Sequence, residues 1–421
     1  MHRSIFLLLV FLTFVWRILG SELYAVKSPG CGESCSPPSR SLVEVVYKND
    51  SSSTHFVLSA SDYFKVPSVF VLHSSKNSTY LTFDWKGINK TYPNSIQASG
   101  PTTCYGFAFL TLNSTIPIPL STLSWRLLDF AEVPDSRTGL LKVTFQSEGS
   151  RSRQYFKNKG FVSLSFSFST RNSHASRPPH IFYYEGLSVL VDFTVSRLLD
   201  DLSGPSVSLN MAFFAANQSF AEEQNFRTST VSTINDELTP GVFETNYVYL
   251  NEKTSTVQLP NSSQLPPAFV QWHPVFYADP SPELKSSRHV VTSAQTPPTP
   301  SALSSVHSSV AYALLGDRLR KGPRPVAWRL QNFTFADSAS STYITWSILL
   351  SLGSPHTEVF SAGLWSLMSI SCGILVLIFV VASVTTLVRW RIIRRRQNQF
   401  THHRLLDDSD SVLNAEVIVK T

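Results

Sequence analysis

Apolar and polar residues alternate through much of the chain, which is the pattern of strands that bury one face. Between Val162 and Ser169 every apolar residue is followed by a serine. The same period runs through Leu187–Val195 and Val207–Phe213, and more briefly through Leu141–Phe145. Because successive side chains of a strand point to opposite faces, this period predicts antiparallel sheets with one face on a core and one in water.

Shorter apolar runs rich in aromatic and β-branched residues predict further strands. They lie at Phe56–Leu58, Val69–Leu72, Tyr80–Trp85, Phe107–Leu112 and Tyr343–Leu350. Prolines and glycines separate several of these runs, as expected of turns. No long amphipathic helix stands out before residue 360. The pattern therefore predicts an all-β region of the antiparallel β-sandwich type, in one or two packed units.

Two other apolar runs do not follow this period. Residues 1–20 open with His2 and Arg3 and contain an apolar run that is too short to cross a bilayer, which is the form of a secretory signal peptide. Residues 364–388 carry no charge, and at 1.5 Å per residue they span about 37 Å, enough to cross a bilayer with some tilt. This second run predicts a single transmembrane helix.

The charges around the predicted helix give its orientation. Five arginines lie within residues 389–396, and positive charge beside a membrane helix stays on the cytoplasmic side. The chain is therefore predicted to be a single-pass type I protein, with residues 21–363 lumenal and residues 389–421 a cytosolic tail.

This topology changes the meaning of the net charge of +6. The signal peptide holds two of the 35 basic residues and the tail holds seven, with four of the 29 acidic residues. The rest of the chain is nearly neutral, so it presents no general basic surface. We therefore expect no nucleic-acid partner.

Asn-X-Ser/Thr sequons are frequent in the predicted lumenal region and absent from the tail. One such motif is weak evidence of glycosylation, but seven on one side of the membrane agree with the topology. We expect at least four to carry glycans, and each used site to be exposed. The sequons are Asn49, Asn77, Asn89, Asn113, Asn217, Asn261 and Asn332.

Two segments differ in composition from the predicted strands. Residues 279–309 are rich in proline, serine and threonine, which predicts a flexible surface loop. Residues 171–180 contain Pro178–Pro179 and are the best candidate for a junction between two β units.

Three cysteines fall in the lumenal region, Cys31, Cys35 and Cys104, and Cys372 falls in the membrane helix. An oxidising lumen favours one disulfide among the first three. Cys31 and Cys35 could close a local ring, or either could bind Cys104. The sequence leaves the pairing open.

Sequence motifs for catalysis are missing. There is no His-Glu-X-X-His, no Gly-X-Ser-X-Gly and no glycine-rich phosphate loop, so we predict neither an enzyme nor a cofactor or metal site. A lumenal glycan- or lipid-processing hydrolase remains an alternative, with its carboxylate pair drawn from Asp129, Asp200, Asp201, Asp236 and Glu237. The aromatic stretch at Trp272–Tyr277 suits either ligand stacking or core packing, and core packing is favoured.

The membrane helix and the tail each carry one candidate interaction signal. Ser369 and Gly373 form a small-XXX-small face, which permits close approach of another helix, either from a partner or in a homodimer. A passive anchor is the alternative. In the tail, Leu405–Leu406 is a candidate sorting signal, although Thr401 occupies the position where an acidic residue is usual and the tail has no tyrosine.

Several motifs, taken in order, resemble one family. They are Arg126–Phe130, Ile234–Glu237 followed by Pro240, Val242 and Phe243, Phe269–Val275, and Tyr343–Ser347 with Leu349–Leu350. With the length, the signal peptide, the dispersed sequons and the C-terminal span, they identify the chain as a distant member of the glycosylated lysosomal membrane protein family. It departs from that family in two respects, since no cysteine lies between Cys104 and Cys372 and the tail lacks a tyrosine signal.

The resemblance implies a function that the residues alone do not give. It implies a non-enzymatic accessory subunit of a multi-span lysosomal transporter of the major-facilitator type. The glycosylated lumenal domain would shield this partner from lysosomal proteases and aid its targeting, through Leu405–Leu406 or the partner's own signal. A cell-surface adhesion or receptor module in the plasma membrane is a further alternative.

Overall fold

The computed structural model of this chain describes most of its strands and its long C-terminal helix. Its contacts group residues 1–355 in one compact unit and residues 356–421 in a second. The described residues are 21–31, 42–61, 63–113, 117–148, 155–169, 173–174, 183–184, 187–198, 208–217, 227–232, 244–250, 268–272, 275–277, 287–289, 291–292, 306–316, 326–331, 343–355 and 362–418.

The first unit consists mainly of antiparallel strands. The first ten are β1 (Glu22–Lys27), β2 (Leu42–Lys48), β3 (Ser53–Ser59), β4 (Ser68–Ser74), β5 (Leu81–Phe83), β6 (Ile96–Ala98), β7 (Thr103–Asn113), β8 (Ile118–Pro119), β9 (Ser124–Phe130) and β10 (Leu140–Glu148). The others are β11 (Phe156–Ser169), β12 (Ser173–His174), β13 (Tyr183–Tyr184), β14 (Ser188–Leu198), β15 (Ser208–Asn217), β16 (Arg227–Ser232), β17 (Glu244–Tyr249), β18 (Ala268–Trp272), β19 (Val275–Tyr277), β20 (Ser287–His289), β21 (Val291–Thr292), β22 (Val326–Gln331) and β23 (Tyr343–Leu352). The helices are α1 (Trp85–Asn89), a 3-10 turn at Leu120–Thr122, α2 (Val310–Leu315) and α3 (Ala362–Ile418).

The strands form two large sheets. The first has the order β1-β2-β3-β4-β7-β15-β22-β21, with β8 paired to β7. The second has the order β16-β17-β18-β23-β14-β11-β10-β9, with β19 paired to β23 and β20 paired to β19. Strands distant in sequence lie side by side in both sheets; β14, for example, pairs with β23 from Ser188↔Ser351 to Ser196↔Tyr343.

The two sheets enclose one apolar core between them. Every second residue of β11 faces it, from Val162 to Phe168, and the same is true of Val189–Val195 on β14. The first sheet contributes Phe56, Phe107 and Phe109 among others, and Phe109 packs against Phe193 of the second sheet with ring centroids 5.2 Å apart. The alternating runs predicted strands and their buried faces correctly, and the β-sandwich is confirmed.

A third layer covers the outer face of the first sheet. Here α1, α2 and the β5–β6 hairpin pack on a second apolar cluster that includes Val57, Phe70 and Phe214. The predicted strand at Tyr80–Trp85 is therefore only partly right, because the strand ends at Phe83. Asp84 then caps α1 by accepting a hydrogen bond from the backbone N–H of Lys86, which favours helix over strand at Trp85.

The second unit is the helix α3. Within it, Trp365–Gln397 is long and apolar enough to cross a membrane. Its described side chains are exposed from Trp365 to Gln397, as lipid-facing residues would be. The helix continues beyond the arginines to Ile418, so the backbone of the predicted tail is helical.

Candidate functional site

The sequons lie mainly on the first sheet and its outer layer. Asn49 follows β2, Asn77 follows β4, and Asn113 and Asn217 are the last residues of β7 and β15. Asn89 ends α1. Asn261 and Asn332 lie outside the described residues.

Three of these asparagines share one end of the first sheet. The register brings Ser53 beside Ser74, His73 beside Thr103, and Thr103 beside Asn217. The turns that carry Asn49 and Asn77 therefore lie at the same end as Asn217, whereas Asn113 lies at the opposite end. The Asn77 side-chain amide donates a hydrogen bond to the Asp50 carbonyl at 3.0 Å, which joins the two turns.

The exposure of the described sequons suits glycan attachment. Asn77 and Asn89 are exposed, and Asn49 and Asn113 are half-buried. At Asn49 the side-chain oxygen accepts hydrogen bonds from the backbone N–H groups of Ser51 and Ser52, at 2.9 and 2.7 Å. This Asx turn holds Asn49 at the tip of the β2–β3 hairpin. Whether each site carries a glycan stays a prediction.

The middle of the second sheet carries no sequon. None occurs on β9, β10, β11, β14 or β23. On the outer side of β10, β11, β14 and β23, small hydroxyl side chains lie beside the buried Leu190 and Leu349. We call the polar part of this side the hydroxyl face. Its members are Thr144, Ser163, Ser165, Ser167, Asp192, Thr194, Thr345 and Ser347.

Hydrogen bonds link the hydroxyl face across strands. Thr194 and Thr345 share one between their hydroxyls at 2.9 Å, and the Ser347 hydroxyl donates to the Asp192 carboxylate at 2.5 Å. These bonds hold short side chains flat against the sheet. Ser163, Ser165 and Ser167 are half-buried, whereas Thr144 and Thr194 are buried.

A buried polar pair lies on the outer side of the first sheet. His55 Nδ1 is 2.7 Å from a carboxylate oxygen of Glu44, and His55 Nε2 donates to the Thr79 carbonyl at 3.1 Å. His55 is 2% exposed and the Glu44 side chain 9%. The pair fixes the Thr79 segment, and with it the Asn77 turn, to β2 and β3.

Sequence reasoning missed the pair of Glu44 and His55. A signal was present, since Glu44 interrupts an apolar run in β2 and His55 adjoins one in β3. The two side chains meet only because β2 and β3 pair with Val46 opposite His55. The local sequence pattern does not indicate which residues of β2 and β3 lie opposite one another.

A second histidine lies at the rim of the core. His73 Nδ1 is 2.9 Å from the Thr54 hydroxyl on the neighbouring strand. Burial lowers the pKa of His73 below its ordinary value of 6.5, because desolvation disfavours the charged ring.

Of the carboxylates named for the hydrolase alternative, Asp129 is the one that the structure describes. Asp129 lies exposed on β9, at the edge of the second sheet. Asp200, Asp201, Asp236 and Glu237 lie outside the described residues. Among the residues that the structure describes, no group of three or more His, Cys, Asp or Glu could hold a metal ion.

The tryptophan of the aromatic stretch is a core residue. Trp272 is 3% exposed and faces the apolar core from β18. Core packing, the favoured interpretation, is thus the one observed, and Trp272 stacks on no accessible ligand surface.

The positions of the described cysteines bear on which disulfides are possible. Cys104 is buried on β7 and lies outside any disulfide, and Cys372 on α3 is a free thiol. Cys35 lies outside the described residues, and Cys31 is buried. Of the pairings that the sequence leaves open, that of Cys31 with Cys35 is the one without Cys104, and it stays untested.

On α3, Ser369 and Gly373 lie one turn apart and belong to the apolar span. A Cβ added at Gly373 would meet no atom within 4 Å, so this position is open. Other hydroxyls bond to the helix itself: Ser383 donates to the Phe379 carbonyl at 2.8 Å, and Thr386 to that of Ala382 at 2.9 Å. Such bonds satisfy polar groups within the hydrocarbon region. Of Leu405 and Leu406 only the helical backbone is described.

Together, the fold and the helix define a class: a β-sandwich protein whose described part includes one helix long and apolar enough to cross a membrane. Residues 41–392 match the family described as Glycosylated lysosomal membrane protein, and the chain belongs to that family. It is similar to Glycosylated lysosomal membrane protein B of Xenopus laevis, with 23% identity over 381 residues, 85% of this chain and 88% of the relative. Protein A of the same frog matches with the same identity and coverage. The protein is thus a member of a lysosomal membrane glycoprotein family.

Proposed function

We propose that this protein is a non-enzymatic accessory subunit of a multi-span lysosomal transporter of the major-facilitator type. Its glycosylated lumenal domain shields the partner from lysosomal proteases and aids its targeting. The observation that carries the proposal is the placement of the sequons. Among the residues that the structure describes, five of the seven sequons lie on strands or turns of the first sheet or on its outer layer. Glycans there would form a coat over one side of the sandwich.

Family membership and the character of the site agree with this role. The relatives are named as membrane glycoproteins and not as enzymes. The described surface offers a broad polar sheet face rather than a group of converging catalytic side chains. We further propose a type I topology, with the sandwich in the lumen, Ser369 and Gly373 on the face of α3 that docks to the partner's helices, and Leu405–Leu406 as the sorting signal.

Purification in mild detergent tests the role directly. We expect a major-facilitator transporter to co-purify with the tagged full chain in near-stoichiometric amount, identified by mass spectrometry. Loss of this protein from cells should shorten the lifetime of the transporter, and a lysosomal protease inhibitor should restore it. Recovery of the chain alone under mild conditions, with a transporter lifetime unaffected by its loss, would refute the proposal.

A further inference from the structure

Aromatic residues follow the sequons more often than the composition of the chain predicts. Four of the seven sequon asparagines have a tyrosine or a phenylalanine three positions later. Aromatic residues make up 12% of the chain, so fewer than one such match is expected among seven positions. The pairs are Asn77 with Tyr80, Asn89 with Tyr92, Asn217 with Phe220, and Asn332 with Phe335. This spacing points to a use for an aromatic side chain close to a glycosylated asparagine.

The structure describes both residues of the first two pairs, and in each pair the tyrosine is exposed. Tyr80 is 58% exposed and Tyr92 is 54% exposed. Among the described residues of the first unit, these two are the exposed aromatic side chains. Single exposed apolar side chains are ordinary on protein surfaces. What needs a reason is that both of these lie three residues after a sequon asparagine.

The same turn encloses the asparagine in both pairs. The Thr79 N–H donates to the Lys76 carbonyl at 3.4 Å, and the Thr91 N–H donates to the Ile88 carbonyl at 3.0 Å. Each bond joins the residue before the asparagine to the threonine of the sequon, so the chain reverses within the sequon. The tyrosine directly follows this reversal. It therefore lies nearer to its asparagine than the roughly 10 Å that three extended residues would span.

The end of α1 carries a strain that folding does not explain. The Tyr92 N–H donates to the Gly87 carbonyl at 2.9 Å, and together with the Thr91 bond this forms a Schellman motif. Thr91 occupies the left-handed position of the motif, with φ of 52°, where glycine is usual and a β-branched residue is strained. A sequon needs a hydroxyl residue at this position, two after Asn89. Glycosylation of Asn89 therefore accounts for a threonine where the backbone favours glycine.

We infer that Tyr80 and Tyr92 are binding surfaces for the first sugar of the glycans on Asn77 and Asn89. This inference rests on the glycosylation in the proposed function and not on the transporter partner. The first sugar of an N-linked glycan is N-acetylglucosamine, whose ring presents C–H groups on its faces. Such groups pack on the negative face of an aromatic ring, and the contact removes apolar area from water. The contact lies outside the apolar core and holds the sugar along the surface.

Site-specific release of glycans from the folded full chain tests this contact. A peptide N-glycosidase cleaves between the asparagine and its first sugar and leaves aspartate, which mass spectrometry of the peptides detects at each site. A sugar packed on a ring should be released slowly, because it must leave the ring before the enzyme can act. We expect Tyr92→Ala to speed release at Asn89 by roughly three- to tenfold, the effect of losing one aromatic contact. Release at Asn77 should not change, and Tyr92→Phe, which keeps the ring, should behave as the wild type.

Tyr80→Ala is the matched variant, because it removes the other exposed tyrosine. It should speed release at Asn77 to a similar extent and leave release at Asn89 unchanged. Asn49 and Asn113 serve as internal references, since neither has an aromatic residue three positions later. Their release rates should be the same in the wild type and in both variants.

The outcomes separate this inference from the accessory role. Equal release rates at Asn89 in the wild type and in Tyr92→Ala would overturn the binding surface. Faster release at every site in that variant would reveal a loosened fold and would overturn it too. A wild type without a glycan at Asn89 lacks the occupant, which also overturns the inference. None of these results changes the co-purification of the transporter, which tests the accessory role by itself.

Discussion

Glu44 and His55 are polar side chains enclosed by an apolar layer, and each is held by the other. We expect Glu44→Ala to lower the free energy of unfolding by about 3 kcal/mol, because removal of Glu44 leaves His55 Nδ1 buried without its partner. Urea unfolding of the purified protein, followed by tryptophan fluorescence, measures this change.

The control for this prediction is Glu22→Ala, which removes an exposed glutamate from the neighbouring strand β1. Its cost should be under about 1 kcal/mol, as for surface ion pairs. Equal costs for the two variants would show that the pair of Glu44 and His55 contributes no more than a surface contact.

The stability of the folded protein should depend on pH through His73, and the direction of this dependence follows from its burial. Because burial lowers its pKa in the folded state, the unfolded chain binds a proton first as the pH falls below 6.5. The contribution of neutral His73 to stability is therefore present above pH 6.5 and is lost as the pH falls towards the lowered pKa. We expect the stability of the wild type relative to His73→Gln to be smaller at pH 5 than at pH 7.5.

Unfolding free energies of both proteins at the two pH values test this prediction. The comparison removes the effects of all other titrating groups, since both chains share them. A difference that does not change with pH, or one that grows in acid, would contradict the assigned burial of His73.

At the scale of elements, the packing of β7 between β4 and β15 depends on one glycine. A Cβ at Gly106 would collide with the Val69 carbonyl oxygen and lie 2.6 Å from a ring carbon of Phe70. Both neighbours belong to the packed sheet, so the strands would have to separate. We expect Gly106→Ala to destabilise the protein by about 2–3 kcal/mol.

Gly100→Ala is the matched control for Gly106→Ala. Its new Cβ would approach only the Thr79 hydroxyl, at 3.4 Å, in the turn before β7. That change should stay within about 0.5 kcal/mol of the wild type. Thermal unfolding of the two variants side by side tests this prediction. A Gly106→Ala protein as stable as the control would contradict the close approach of Gly106 to Val69 and Phe70.

The tail is an element with one testable signal. We expect the double change Leu405→Ala and Leu406→Ala to move the protein from lysosomes to the cell surface, if this pair is what the sorting machinery reads. Surface labelling against a lysosomal marker measures the shift. Val412→Ala with Leu413→Ala removes a comparable apolar pair from the same helix and should leave localisation unchanged. Retention of the first variant in lysosomes would assign sorting to the partner instead.

At the scale of the whole molecule, the proposed coat should act as a barrier to proteases. We expect enzymatic removal of N-glycans from the folded protein to speed its cleavage by lysosomal proteases several-fold, while the unfolding temperature changes little. The described sequons lie at strand and helix ends, where a sugar contributes little to packing. A mock-treated sample is the control, and equal cleavage rates would argue against shielding by glycans.

The sequence predicted strands well where one face is buried and the other is polar. On β11 the serines mark one face and the apolar residues the other, so both the strand and its orientation follow from the period of two. The sequence predicted the end of a strand poorly at Asp84, where the side chain caps the helix α1. There a single hydrogen bond outweighed the β propensity of Trp85. The hydroxyl face was visible as a run of serines, but its extent across four strands was not.

Which residues avoid water, and where an apolar segment could cross a membrane, follow from the amino-acid order alone, because hydrophobicity and its period are properties of the local chain. The position of each sequon along the chain is also plain from the sequence. The pairing of β14 with β23, the contact of Glu44 with His55, and the placement of the described sequons away from the sheet that carries the hydroxyl face emerge only from the folded structure. The physical reason is that backbone hydrogen bonds are alike in every strand pairing. The choice among pairings therefore depends on how the whole set of side chains packs.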